Sequence, residues 1–236
     1  MTQNHQTKKI YKKDFENREK YLTLQFKVLL IMTDKNYLND ITEIKDLMNK
    51  SSKFMSLSGI SGILAGTYAL IGSYYANTIL QENTVYLRPH KRIHYMTIYE
   101  ILGISGIVLL LSIGTGIFFS WKKARKNGDK IWNVASKNLL VSFLIPLVTG
   151  AIFGLILLKH EHFGVVAPVS LIFYGLALIN ASKYTFGTIK YLGISEVIVG
   201  LIAAYYPGNG LFFWALGFGV LHIIYGAVMY FKYDRK

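Results

Sequence analysis

The chain reads as long apolar runs separated by short polar ones. Six runs stand out: Phe54–Ala76, Ile98–Ser120, Asn138–Leu158, Gly164–Ser182, Thr188–Tyr206 and Gly210–Phe231. Each is close to the ~20 residues with which a helix crosses a ~30 Å hydrocarbon core. In lipid, only helices and closed barrels satisfy their own backbone hydrogen bonds, and barrel strands alternate apolar and polar positions over about ten residues. These runs are continuous. The pattern therefore predicts an all-α polytopic membrane protein with six transmembrane helices. A polar tail, 1–52, precedes the transmembrane domain, 53–232, and residues 233–236 form a short second tail.

The tail has its own pattern. Its first 13 residues carry Lys8, Lys9, Lys12 and Lys13 with little that could form a core, which predicts disorder. In Tyr21–Met32, Leu22, Leu24, Phe26, Val28 and Leu30 alternate as in a strand, whereas Leu22, Phe26 and Leu29 share a helical face. The segment is too short to span. A helix on the membrane surface or on a partner protein is expected. In 38–50, Leu38, Ile41, Ile44, Leu47 and Met48 recur at helical spacing with acidic residues opposite, predicting an amphipathic helix that leads into the first span. The tail can be read as a docking or sensing segment. It can equally be read as a surface helix drawn to anionic lipid by its lysines.

Charge sharpens the topology. Only 17% of residues are charged and 52% are hydrophobic, yet the net charge is +13. A soluble nucleic-acid binder could not hide the apolar runs from water, so no nucleic-acid partner is expected. Of 26 Lys and Arg, 22 fall on one side of the six predicted spans, leaving Arg88, Lys91, Arg92 and Lys159 on the other. The positive-inside rule then places both termini in the cytoplasm. Trp121 and Trp132 bracket the basic loop after the second span, while Tyr74, Tyr75, Tyr205, Tyr206 and Trp214 mark outer ends, as expected of an interfacial aromatic belt. The absence of cysteine excludes disulfides and thiolate metal sites. No cleavable leader is expected, because the first apolar run lies behind the polar tail.

The junction Ile44-Lys45-Asp46-Leu47-Met48-Asn49-Lys50-Ser51-Ser52-Lys53-Phe54, followed by Ser56-Leu57-Ser58-Gly59-Ile60-Ser61-Gly62, resembles a family of small multi-span bacterial inner-membrane proteins that carry no assigned activity. The likeness covers about residues 44–66. It implies a bacterial inner-membrane location and supplies no mechanism.

Gly59-Ile60-Ser61-Gly62 recurs as Gly103-Ile104-Ser105-Gly106, and more loosely at Gly193-Ile194-Ser195-Glu196. The second and third copies lie on spans of opposite sense, so an inverted repeat of the transporter kind is one reading. The other is convergence on small residues for close helix packing, with Gly62, Gly66, Gly103, Gly106, Gly150, Gly154, Gly193 and Gly200 as the packing positions. The Gly-x-Ser-Gly pattern also resembles the nucleophile motif of rhomboid intramembrane proteases, with Ser61 or Ser105 and the sixth-span His222 as candidates. Here the motif lies on spans one and two rather than four, and the residues after His222 do not match that family's histidine helix. An intramembrane enzyme is thus the weakest alternative.

Two ionisable residues fall inside predicted spans, where they are expensive and often functional. Glu196 shares a helical face with Gly193 and Gly200, so it should face another helix. The Tyr206-Pro207-Gly208-Asn209-Gly210 turn makes spans five and six an antiparallel hairpin that brings Glu196 and His222 to the same depth, within about 1.5 Å. A buried acid–imidazole pair is expected, able to hold or relay a proton, or else to act as a static interhelical link. A second group, His90, His94, His160, His162 and Glu100, lies on the predicted outer side and offers zinc-like donors without matching a zinc motif. Pro146 and Pro168 can bend their helices, and Asn180 and Lys183 sit near the cytoplasmic end of span four.

The expected function is a small proton-linked transporter or channel-like protein using Glu196 and His222. The alternative is a non-catalytic sensor or assembly partner. No cofactor is expected. The expected partners are the bilayer, anionic lipids at the cytoplasmic face, and a second copy or another membrane protein.

Overall fold

The computed structural model describes residues 18–28, 41, 53–82, 84–85, 92–93, 95–128 and 131–235. The chain divides into two compact units, Met1–Ser51 and Ser52–Lys236.

In the first unit, residues 18–28 form a helix, α1, rather than a strand. A strand would need a neighbouring strand to pair its backbone groups, whereas a helix pairs them within itself. Tyr21, Leu22, Leu24, Phe26 and Val28 are all exposed. Of the amphipathic helix expected over 38–50, only residue 41 is described, and it is helical.

The second unit is helical. α2 spans Gly59–Glu82, α3 Tyr95–Asn127, α4 Val134–Lys159, α5 Phe163–Ala181 and α6 Thr188–Tyr205. α7, Gly210–Asp234, is α-helical with π turns at Ala215–Leu221 and Tyr230–Asp234. Among the described residues five helices, α3 to α7, are long and apolar enough to cross a membrane. α2 is also long, at 24 residues. Thr67, Tyr68, Ser73, Tyr74, Tyr75, Asn77 and Thr78 dilute its hydropathy, which is why it falls outside that group.

The helix boundaries differ from the apolar runs in instructive ways. α2 begins at Gly59, not at Phe54, because 54–58 is a non-helical segment held by long-range bonds. Phe54 N–H donates to the Tyr184 carbonyl at 2.7 Å, and the Thr185 hydroxyl donates to the Phe54 carbonyl at 2.7 Å. α3 continues through the basic stretch to Asn127, with Arg125 and Lys126 in its last turn, where cations suit the helix dipole. Thr84–Val85 pairs antiparallel with Arg92–Ile93 between α2 and α3. The α4 N-terminus has a capping box: Asn133 Oδ1 accepts from the Ser136 N–H and Ser136 Oγ accepts from the Asn133 N–H.

α7 packs against α2, α5 and α6, while α3 packs mainly on α2 and α4 mainly on α5. Small residues set the closest approaches. A Cβ on Gly175 would lie 2.6 Å from the Gly193 carbonyl, and one on Gly193 would lie 2.7 Å from the Gly175 carbonyl, so α5 and α6 touch backbone to backbone. α6 buries Ile189, Leu192, Gly193, Glu196, Gly200 and Ala203, a single face at helical spacing.

Pro146 is accommodated inside α4 by a side chain from α5. A proline cannot donate to the carbonyl four residues before it, which here belongs to Ser142. Asn180 Nδ2 donates to that carbonyl at 2.9 Å instead. Asn180 is thus an interhelical bond rather than a residue reaching for the interface.

Candidate functional site

Three helices bring one polar side chain each to a common point. α6 supplies Glu196, α7 supplies His222 and α5 supplies Tyr174. Glu196 is fully buried at 0% exposure and His222 is buried at 7%. His222 Nδ1 lies 3.3 Å from Glu196 Oε1. The same Nδ1 lies 3.1 Å from the Gly217 carbonyl, and Nε2 lies 2.8 Å from the Tyr174 hydroxyl.

Donor logic orders this array. A backbone carbonyl can only accept, so the contact with Gly217 requires the proton on Nδ1. In a neutral ring, Nε2 is then the acceptor for the Tyr174 O–H. In a charged ring, Nε2–H donates to the Tyr174 oxygen instead. Tyr174 can therefore hold the ring in either charge state. Glu196 Oε1 is within ion-pair distance of Nδ1, yet neither of its oxygens has a hydrogen bond among the described residues. The two observations agree once direction is considered: the Nδ1–H points at the Gly217 carbonyl and leaves the carboxyl to one side.

An ionised Glu196 beside a neutral imidazole would be a buried charge without a donor, costing several kcal/mol. The low-energy arrangements place one proton in the pair. It sits either on Glu196, with the ring neutral, or on His222, with the carboxylate charged.

The local geometry of α7 makes room for this. A Cβ on Gly217 would lie 2.5 Å from Glu196 Oε2 and would collide with Leu171 Cδ2, so the carboxyl occupies space that only glycine leaves free. Gly217 also lies in the π turn just before His222. Such turns place backbone carbonyls outside the regular α ladder and recur at functional sites. Aromatic rings enclose the imidazole: Tyr174 at 5.4 Å and Phe218 at 6.0 Å between centroids.

The other sequence candidates are distributed as follows. His160 and His162 are exposed at the α4–α5 turn, and Glu100 is exposed on α3. His90 and His94 lie outside the described residues, and among the described residues no three His, Asp or Glu converge as a metal site. Ser61 and Ser105 donate to the carbonyls of Ser58 and Ile101 in their own chain segments, at 2.7 and 2.9 Å. His222 is bonded elsewhere, so no serine–histidine pair forms with it. Gly62 and Gly66 meet α7, Gly150 meets Phe173, Gly193 meets α5 and Gly200 meets Ile172. A Cβ on Gly103, Gly106 or Gly154 meets nothing within 4 Å, so none of the three is a close backbone approach, although Gly154 is itself buried. For the two glycines of α3 the cause is position, since α3 packs mainly on α2.

A second polar cluster was not anticipated from the sequence. Asp234, at the end of α7, accepts from the Gly59 N–H at 2.7 Å and the Ser58 hydroxyl at 3.1 Å. Its other oxygen pairs with Lys123 Nζ at 2.6 Å, and Lys123 also donates to the Leu57 carbonyl at 2.8 Å. Asp234 thereby caps α2 from a distance and ties it to α3 and α7. An apolar cavity lies elsewhere again. It is an apolar groove of about 340 Å³ between α2 and α3, lined by Tyr68, Ile71, Gly72, Tyr75, Ile104 and Leu111, among others.

No family model, curated protein or solved structure matches the chain. The likeness of residues 44–66 to uncharacterised inner-membrane proteins therefore rests on those residues alone.

Proposed function

We propose that the chain is a six-span protein of the bacterial inner membrane, with both termini cytoplasmic, that works as a small proton-linked transporter. In this reading α2 is the sixth span. Its 24 residues reach about 36 Å as helix, enough to cross. The observation that carries the functional reading is Glu196, wholly buried, with both carboxyl oxygens lacking a hydrogen bond and one of them 3.3 Å from His222 Nδ1. A purely structural pair would use the short donor on the carboxylate. Here the imidazole donates to the Gly217 carbonyl instead, and the carboxyl stands ready to take or give a proton. From the charged ring, the Nδ1 proton passes to Oε1 once the ring turns Nδ1–H from the Gly217 carbonyl toward Glu196, leaving a neutral ring whose remaining proton, on Nε2, is donated to the Tyr174 oxygen.

The test is proton flux in proteoliposomes loaded with a pH-sensitive dye and energised by a potassium diffusion potential. The native chain is expected to acidify the lumen, and Glu196→Gln to fall to the level of protein-free liposomes while remaining folded. Equal flux from the two would overturn the reading.

A second reading, that the chain is an assembly partner in the membrane, is favoured by one observation. α3 leaves Gly103, Gly106, Gly114 and Gly116 facing open space, beside the apolar α2–α3 groove. Another apolar helix could approach such a surface closely. Co-isolation of a second membrane protein, lost when Gly106 is enlarged to Leu, would support it.

A further inference from the structure

The turn between α3 and α4 is strongly basic. From Trp121 to Lys137 there are six basic residues, Lys122, Lys123, Arg125, Lys126, Lys130 and Lys137, against the single acid Asp129. Lys123 is committed inward to Asp234 and the Leu57 carbonyl. Lys122, Arg125, Lys126 and Lys137 are exposed, and among the described residues none of the four forms an ion pair. Two indoles flank them. Trp121 is 46% exposed with the Arg125 guanidinium 5.7 Å from its ring, and Trp132 is 64% exposed with Lys137 Nζ at 5.9 Å.

We propose that this turn is a binding site for the phosphate of an anionic phospholipid headgroup. Exposed cations alone would suit any phosphate or an acidic protein segment. The indoles decide for lipid. A large amphipathic ring left half in water is unfavourable in solution and favourable at headgroup level, where its apolar body meets the acyl boundary. Trp121 lies in the last two turns of α3 and Trp132 just before α4, both helices long and apolar enough to cross a membrane, so in a bilayer the rings and the cations would meet the headgroups together. Arg125 and Lys137, each resting over an indole, keep their remaining donors free for the phosphate oxygens. The sequence pattern pointed to anionic lipid mainly through the tail. The proposed site is instead the α3–α4 turn. It does not depend on the proton reading, because none of its residues belongs to the Tyr174–His222–Glu196 array.

The experiment uses the full chain in detergent, titrated with phosphatidylglycerol or phosphatidylcholine and read by native mass spectrometry. Phosphatidylglycerol should be retained preferentially. Neutralising Lys122, Arg125, Lys126 and Lys137 to Gln should weaken its apparent affinity by about fivefold for each charge removed. The double variant Lys123→Gln with Asp234→Asn, which leaves the net charge unchanged, should retain the native affinity. Equal retention of the two lipids would overturn the proposal. So would an unaffected quadruple variant, or displacement of the lipid by millimolar inorganic phosphate, which would mark a site for free phosphate. Flux through Glu196 is a separate measurement, so the two proposals fail independently.

Discussion

The chain contains the same tetrapeptide twice, and the two copies live in opposite surroundings. Gly59-Ile60-Ser61-Gly62 opens α2, and Gly103-Ile104-Ser105-Gly106 lies in α3. At the first, α7 crosses so closely that a Cβ on Gly62 would lie 3.1 Å from Gly226 Cα, and one on Gly59 would collide with the Gly226 carbonyl and the Tyr230 backbone. At the second, a Cβ meets nothing within 4 Å on either glycine. The difference is the partner, not the motif. α7 is equally small at the crossing, through Gly219 and Gly226, so two glycine faces meet; α3 offers glycine to no described helix. Small residues in an apolar run state that a backbone can be approached. Whether it is approached depends on the place of the helix in the bundle.

The largest effect should come from filling the crossing. A Cβ on Gly226 would lie 2.5 Å from Ile63 N and 2.7 Å from the Gly59 carbonyl. These are backbone atoms and cannot rotate away, so α2 and α7 must separate. Gly226→Ala is expected to destabilise by about 3 kcal/mol or more, at the upper end of overpacking costs. A thermal unfolding midpoint in detergent measures it. A midpoint equal to the native one would mean that the crossing is loose, and the contrast between the copies would collapse.

What could be read beforehand follows the same line. The continuous apolar runs pointed to the helical membrane class, because the cost of an unpaired backbone in lipid leaves few alternatives. The hairpin turn at 206–210 placed Glu196 and His222 at one depth, and the structure brings their side chains together, since an antiparallel pair has a fixed rise per residue. Tyr174 was missed. It comes from a different hairpin, and a single tyrosine in an apolar run is no signal without knowledge of helix neighbours. Gly217 was missed because the feature that matters, a π turn beside a carboxyl, depends on tertiary packing. Asp234 was passed over as part of a short charged tail, although an acid among basic residues at a chain end could have prompted the question of which helix N-terminus it reaches. The start of α2 was misplaced for a related reason: Phe54 is apolar enough to extend the run, but its backbone bonds go to Tyr184 and Thr185.

The Asp234 cluster sharpens the comparison at the first copy, because it caps the same α2 terminus that α7 crosses. Lys123 and Asp234 have side chains only 16% and 10% exposed, so their pair is partly shielded from solvent. Asp234→Ala removes the charge, the bond to the Gly59 N–H and the partner of Lys123 together. It is expected to cost about 2 kcal/mol, in the range of charged hydrogen bonds. Asp234→Asn keeps an acceptor for Gly59 and should lose about half as much. If Ala and Asn cost the same, the charge rather than the cap is the larger contribution. If neither costs anything, α2 is anchored by its crossing with α7 alone.

The smallest effect belongs to the second copy, and its sign is the informative part. Glycine within a helix is about 0.5–1 kcal/mol less favourable than alanine, because it loses more backbone freedom on ordering. At Gly103 the added methyl meets nothing within 4 Å, so no collision offsets that gain. Gly103→Ala should therefore stabilise the isolated chain by a few tenths of a kcal/mol up to about 1 kcal/mol. The measurement is made in detergent at low protein concentration, where chains are separate, and repeated in bilayers at high protein density. Stabilisation under both conditions means that α3 faces lipid. Stabilisation in dilute detergent with destabilisation in dense bilayers means that a helix from another chain uses the glycine, and the two copies of the motif would then do the same work, one within the chain and one between chains.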